Sequence, residues 1–193
     1  MNNTLKEELQ AGKRKTAKPM LWTSLVSMTM MFAGLTSAYV VSRRRDDWVS
    51  FDLPPSFFYS SLLILLSSIT FYLAVRFIKK DHVKATSQML LLTLALGLGF
   101  GFFQFQGFQE LYYQGHVFAG AESTVKSSFL YGITGLHFLH AIAGLIVLLI
   151  VIYNNFKGKY SSSNSLGLEL GGIFWHFVDL LWIYLFFFFY FIR

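Results

Sequence analysis

The sequence predicts an all-α integral membrane protein, a five-transmembrane-helix bundle. Three observations carry that prediction. Apolar residues fill 54% of the 193 positions and aromatics 19%, while charged residues supply only 13%, a balance outside the range of water-soluble domains. The apolar residues gather into five blocks, at 20–41, 57–78, 87–113, 128–153 and 171–192, each with at least the roughly 20 residues that a helix needs to cross about 30 Å of hydrocarbon. Runs such as LLLTLALGLGFGFF and LIVLLIVIY lack the alternation of a closed β-barrel, the other backbone that satisfies its own polar groups in lipid.

The formal charge of +6 raises nucleic acid as a partner, but the placement of the basic residues assigns them to orientation. With the N-terminus inside, Lys6, Lys13, Arg14, Lys15, Lys18, Arg76, Lys79, Lys80, Lys84, Lys157 and Lys159 all fall on the inner side. Arg43, Arg44, Arg45, Lys126 and Arg193 fall outside. This bias predicts a cytoplasmic N-terminus and an external C-terminus, and Asp46 and Asp47 offset part of the one external arginine cluster. Nucleic-acid binding is left without support. The absence of cysteine excludes disulfides and thiolate chemistry. The first 19 residues are polar and lead into a full-length span, so no cleavable signal peptide is expected and the first span serves as the insertion signal.

In chain order, residues 1–19 read as a basic cytoplasmic tail ending at Pro19, a residue suited to a helix start, and residues 20–193 as the membrane domain. The first span carries small-residue pairs, Ala33 with Ser37 and Gly34 with Ala38, which predict close approach of another helix. The outer segment 42–56 brings Trp48 as an interfacial anchor and a stiff Pro54–Pro55 end. Ser60, Ser61, Ser67, Ser68 and Thr70 of the second span imply interior faces. In the third span Gly97, Gly99 and Gly101 mark close helix contact. Gln104, Gln106, Gln109 and Glu110 follow toward its outer end, where a wetted polar rim is expected. The loop 114–126, with His116 and Glu122, is expected to be exposed. The inner loop 154–166 is expected to be flexible around Ser161 to Ser163.

The fourth and fifth spans hold the chemistry-bearing side chains. His137 and His140 are three apart and share a helix face, and the last span carries His176 and Asp179 just after Glu169. Imidazole and carboxylate are ligands for iron, copper and zinc, and ionisable groups inside a span mark candidate sites. Counted from the inner ends, His140 stands about 20 Å up its helix and Asp179 about 12 Å, an offset of roughly 8 Å that disfavours one shared ion. Packing within a polar network is the simpler reading, and a metal or haem site or a proton-carrying carboxyl is its rival. No nucleophile with a general base and no phosphate-binding loop is present.

The run LGLELGGIFWHFVDLLWIYLF at 166–186 closely resembles the most distinctive stretch of subunit III of the haem-copper oxidases, and TGLHFLHAIAG at 134–144 resembles that family's T-G-x-H-x-x-H-x-x-x-G element. Weaker similarity covers MMFAG at 30–34, SSIT at 67–70 and the third span around Gln104 and Glu110. The resemblance implies an accessory subunit of a respiratory terminal oxidase, of the cytochrome c oxidase kind, in a bacterial plasma membrane. It implies no catalytic, cofactor-binding or metal residue on this chain, with haems and copper on subunits I and II. The expected partners are subunit I as the main contact, subunit II, bound phospholipid and, through the complex, a respiratory supercomplex. The expected role is support of assembly and of sustained proton uptake. His137, His140, Glu169, His176, Asp179, Gln104 and Glu110 are then a structural polar network or lipid contacts, the first five forming or flanking a buried network that holds the last two helices together. The chain resembles the shorter five-helix form, without the two leading helices and lipid cleft of longer members. Met28 and Gly107 stand where many members carry glutamates. The same resemblance extends to proteins accompanying quinol oxidases and nitric oxide reductases, and a free-standing membrane metalloenzyme is the reading from a different class.

Overall fold

The computed structural model describes residues 3–45, 48, 51–120, 123–162 and 164–192. These form five helices, α1 (Asn3–Ser42), α2 (Pro55–Ile78), α3 (Val83–Tyr113), α4 (Val125–Phe156) and α5 (Leu166–Phe191), with no strand among the described residues. Each contains a stretch long and apolar enough to cross a membrane. Asp46, Asp47, Glu122, Ser163 and Arg193 lie outside the described residues.

The helices α2, α3, α4 and α5 form a ring in which each packs on the next and α5 closes on α2, while α1 lies outside the ring against α4 and α5. α5 therefore has three neighbours. Its apolar window is 44% buried against 22% for that of α1. Phe58, Leu62, Leu98, Phe102, Leu139, Ile150 and Leu180 face outward, as expected where the solvent is lipid and not water.

Several element boundaries differ from the sequence reading. α1 runs unbroken through Pro19, although a proline inside a helix removes one donor from the ladder and crowds the carbonyl four residues back. The small-residue face of α1 receives no helix from this chain: Ala33, Gly34, Ser37 and Ala38 are exposed, and a Cβ on Gly34 would meet nothing within 4 Å. Trp48 is half-buried, its ring edge-on to Tyr39 at 4.9 Å.

The third-span glycines act as seats for rings and side chains. A Cβ on Gly97 would stand 2.9 Å from the Trp175 ring, and Gly144 of α4 faces the same indole at 3.2 Å. Trp175 is thus wedged between α3 and α4 at the two places where no side chain intrudes. Gly107 does the same for Phe57, whose ring would lie 2.5 Å from an added Cβ. That contact gives a physical reason for glycine at 107, since a glutamate side chain would displace a ring that also packs on Trp182 at 5.8 Å.

Both ends of the bundle are tied. At one end Glu169 accepts from Lys18 of α1 at 2.9 Å and pairs with Lys79, just past α2, at 3.1 Å. Asn155 of α4 donates to Ser87 of α3. The segment between α4 and α5 is held rather than loose: Ser161 and Asn164 bridge each other, and the Ser162 N–H donates to Asp81 at 2.8 Å. Those Ser162 hydrogen bonds hold the exposed Asp81 carboxyl below its ordinary range. At the other end the Tyr39 hydroxyl donates to the Ile192 carbonyl and Thr36 shares a hydrogen bond with Tyr184, fastening α1 to α5. Lys126 is buried, donates to the Phe51 carbonyl at 2.8 Å and lies 4.3 Å over the Phe51 ring. His116 stacks on that ring at 3.9 Å, so the loop residue expected to be free is docked.

Two outcomes follow from these contacts. Gly107→Val should destabilise the bundle by about 1–3 kcal/mol through overpacking against Phe57, read as a lower unfolding midpoint in lipid–detergent mixtures; an unchanged midpoint would show that the ring has room to move. Burial, and then the Lys126 charge, hold His116 below the ordinary imidazole range. The folded state therefore favours neutral His116, and stability from the stack is full above the unfolded-state value and declines as pH falls through the folded one. Acid titration of unfolding should show this loss in the native chain and lack that component in His116→Gln.

Candidate functional site

α2 carries its hydroxyls as two adjacent pairs, Ser60–Ser61 and Ser67–Ser68, seven residues and two helical turns apart, so the pairs fall on one side of the helix. The structure uses that side twice. Toward α3, Ser60 accepts from the Gln104 amide at 3.1 Å, Ser56 donates to Glu110, and Thr70 shares a hydrogen bond with Thr93 at 2.8 Å. Toward α5, Ser61 accepts from the Trp182 indole at 2.9 Å, Ser67 accepts from the Trp175 indole at 3.1 Å, and Ser68 shares a hydrogen bond with His176 Nδ1 at 2.6 Å. Every second-span position singled out from the sequence is therefore engaged, either with a neighbouring helix or with its own backbone carbonyls. The tryptophan N–H donors that complete the ladder have a sequence signal in retrospect. Trp175 and Trp182 are also seven apart and match the serine pairs turn for turn.

Gln104 is buried, with 1% of its surface exposed, so it is not part of a wetted rim. Its amide finds a partner on α2 instead, and of Gln106, Gln109 and Glu110 only Gln109 is exposed. Glu110 stays half-buried and bonded to Ser56.

His137, His140, His176 and Asp179 do not join in one network between α4 and α5. His140 Nδ1 lies 2.8 Å from the carbonyl of Leu136 on its own helix. A carbonyl only accepts, so Nδ1 carries the proton and Nε2 is the acceptor if the ring is neutral. His137 is 1% exposed, and neither ring nitrogen has a hydrogen-bond partner. It sits among Trp182 at 5.2 Å, Phe100 at 6.2 Å and Phe32 at 6.5 Å. His176 binds α2 through Ser68 rather than α4. Asp179 is 2% exposed, and no donor meets either carboxyl oxygen in hydrogen-bond geometry; Ser68 is the side chain that acts on it from α2.

The expected depth offset between His140 and Asp179 does not hold. α5 begins at Leu166, ahead of the apolar block, and Ala141 of α4 lines the same cavity as Asp179. What separates the histidines from the carboxyl is direction: His140 packs on Phe32 of α1, while Asp179 faces a cavity walled by Gly97 and Gly101 of α3. Among the described residues no three histidine, aspartate or glutamate side chains are grouped to hold a metal ion. Nor does the setting of His137 suit a haem, since aromatic rings occupy the space beside it. Among the described residues the arrangement joins helices and buries one carboxyl.

Fold and site together define a polytopic helical membrane protein in which serines and threonines of α2 hydrogen-bond to side chains of α3 and α5. A sequence profile described as Cytochrome c oxidase subunit III matches residues 52–193. The chain is 30% identical over 167 residues to cytochrome c oxidase subunit 3 of Thermostichus vulcanus, covering 84% of this chain and 80% of that one. It is 29% identical over 172 residues to cytochrome c oxidase subunit 3 of Alkalihalophilus pseudofirmus, covering 86% and 81%. Similarity to the subunit 3 of Bacillus sp. is 26% over 170 residues. The chain belongs to the cytochrome c oxidase subunit III family.

Removing the Ser68 hydroxyl should leave half-buried His176 without its partner and cost about 1 kcal/mol, within the span of measured hydrogen bonds between membrane helices. Ser68→Ala, followed by unfolding in lipid–detergent mixtures, checks this; a variant as stable as the parent would mean that His176 finds an equal partner elsewhere.

Proposed function

We propose that this chain is the accessory subunit III of a cytochrome c oxidase, supporting assembly and durable turnover while the haems, the copper and the oxygen chemistry reside on subunits I and II. The observation that carries the reading is the use of the polar residues. Within the family's most distinctive stretch, Trp175, His176 and Trp182 are engaged by α2, α3 and α4 as architecture: two indoles and one imidazole bonded to serines, and one indole seated on glycines. The similarity to subunits named for cytochrome c oxidase supports cytochrome c as the donor to the complex.

The chain lies in a bacterial plasma membrane with the Glu169 end of the bundle in the cytoplasm, supported by the excess of basic residues at that end. Subunit I is the main contact and subunit II a further one. Phospholipid covers the outward apolar residues, and the complex is open to association in a respiratory supercomplex. Residues 20–193 act as one membrane domain, with the preceding basic segment on the cytoplasmic side.

Purification of the tagged full chain from native membranes in mild detergent tests the assignment. A haem-bearing polypeptide should come with it, and the chain stripped of that partner should hold iron and copper far below stoichiometry. Stoichiometric iron or copper on the chain alone would contradict it. His176→Ala in the assembled complex should leave the visible haem spectrum intact while turnover decays sooner; loss of a haem or copper signal with the subunit still bound would overturn the accessory role.

A further inference from the structure

Between α3, α4 and α5, with Ile64 of α2 at its edge, lies a cavity of about 220 Å³. Gly97 and Gly101 open it from α3, Ala141 from α4, and Trp175 forms part of its wall. Its lining is apolar except for one residue, Asp179, which is 2% exposed; neither carboxyl oxygen meets a donor in hydrogen-bond geometry, and the Ser68 hydroxyl of α2 is the one donor that acts on it.

A lone carboxylate in such a place has no counter-charge. None of the residues lining the cavity is basic. α3 offers the site no ionisable group at all. α4 brings His137, one turn from Ala141, but its ring packs on Trp182 and Phe100. From α5 itself comes His176, already bonded to Ser68, and from α2 the nearest polar group is the Ser68 hydroxyl. Burying an unpaired charge costs many times what burying the neutral acid does, so such groups neutralise. The neutral acid still has one donor and free acceptor lone pairs. Several waters at about 30 Å³ each would fit a cavity of this size, and one bound to Asp179 would gain bonds to the acid and, for the rest, to its neighbours in a cluster.

We propose that this cavity is a hydration site in which Asp179 sits as the neutral acid and exchanges its proton with a small cluster of water. The ligand class is water and the proton, and no haem-bearing partner is required. The site rests on the chain's own residues and stands or falls separately from the oxidase assignment.

Infrared spectroscopy of the full chain in lipid bilayers at neutral pH reads the site directly. Five aspartates stand at 46, 47, 52, 81 and 179; among the described ones, at 52, 81 and 179, only Asp179 lies within a membrane-spanning helix. [4-13C]Aspartate labelling should therefore shift one protonated-carboxyl C=O band, and deuterium oxide should downshift that same band as the proton exchanges. Asp179→Asn should remove it. If that variant does not fold, the labelling experiment on the unaltered chain still decides. Gly101→Leu, which fills the cavity from α3, should keep the band but slow its response to deuterium oxide at least several-fold. The absence of any label-shifted protonated-carboxyl band would overturn the proposal, as would a band that does not respond to deuterium oxide, the mark of a dry cavity.

Discussion

Inside a bilayer, apolar side chains gain little by leaving lipid for one another, so helices are joined by close packing and by the polar groups they share. In this chain that constraint falls on α2. Its serines and Thr70 meet Glu110, Gln104 and Thr93 on one side and Trp182, Trp175 and His176 on the other. Each bond contributes modestly, on the order of 0.6 kcal/mol, yet each also satisfies a polar group that would otherwise be stranded in hydrocarbon. Because the two rows leave one helix in two directions, α2 sets where α3 and α5 stand relative to each other.

Packing completes what the hydroxyls begin. The indole of Trp175 donates to Ser67 while its ring lies against Gly97 and Gly144. One side chain of α5 thereby touches all three other helices of the ring. Phe57, seated on Gly107 and edge-on to Trp182, repeats the device toward the opposite end. α1 stands apart from this logic. It is fastened near the two ends of its membrane-spanning stretch, by Lys18 to Glu169 and by Thr36 and Tyr39 to α5, and its small-residue face stays open.

The number of helices and their approximate limits were legible because bilayer thickness imposes a minimum apolar length. Their true ends were not, because hydropathy reports the hydrocarbon and not the hydrogen-bonded helix. α5 extends back to Leu166 past the charged Glu169, and α1 extends back through Pro19 to Asn3. The error at α5 propagated into the depth of Asp179. The serines of α2 were correctly read as interior-facing, but their partners were out of reach, since helix rotation decides whether a neighbour presents a tryptophan or a leucine. Gln104 shows the same limit: its distance along α3 suggested water, and its azimuth delivered it to Ser60. The resemblance of the 166–186 stretch carried the family assignment, whereas the isolation of His137 and Asp179 emerged only from three-dimensional packing.

The central claim is that the α2 hydroxyls are energetically coupled to the α5 indoles. A double-mutant cycle on Ser61→Ala and Trp182→Phe, measured by reversible unfolding in bicelles, tests it most directly. The account predicts a favourable coupling of about 0.5–1.7 kcal/mol, the range found for hydrogen bonds between membrane helices. Additive effects, with no coupling beyond error, would mean that ring packing alone holds α5 to α2 and would contradict it.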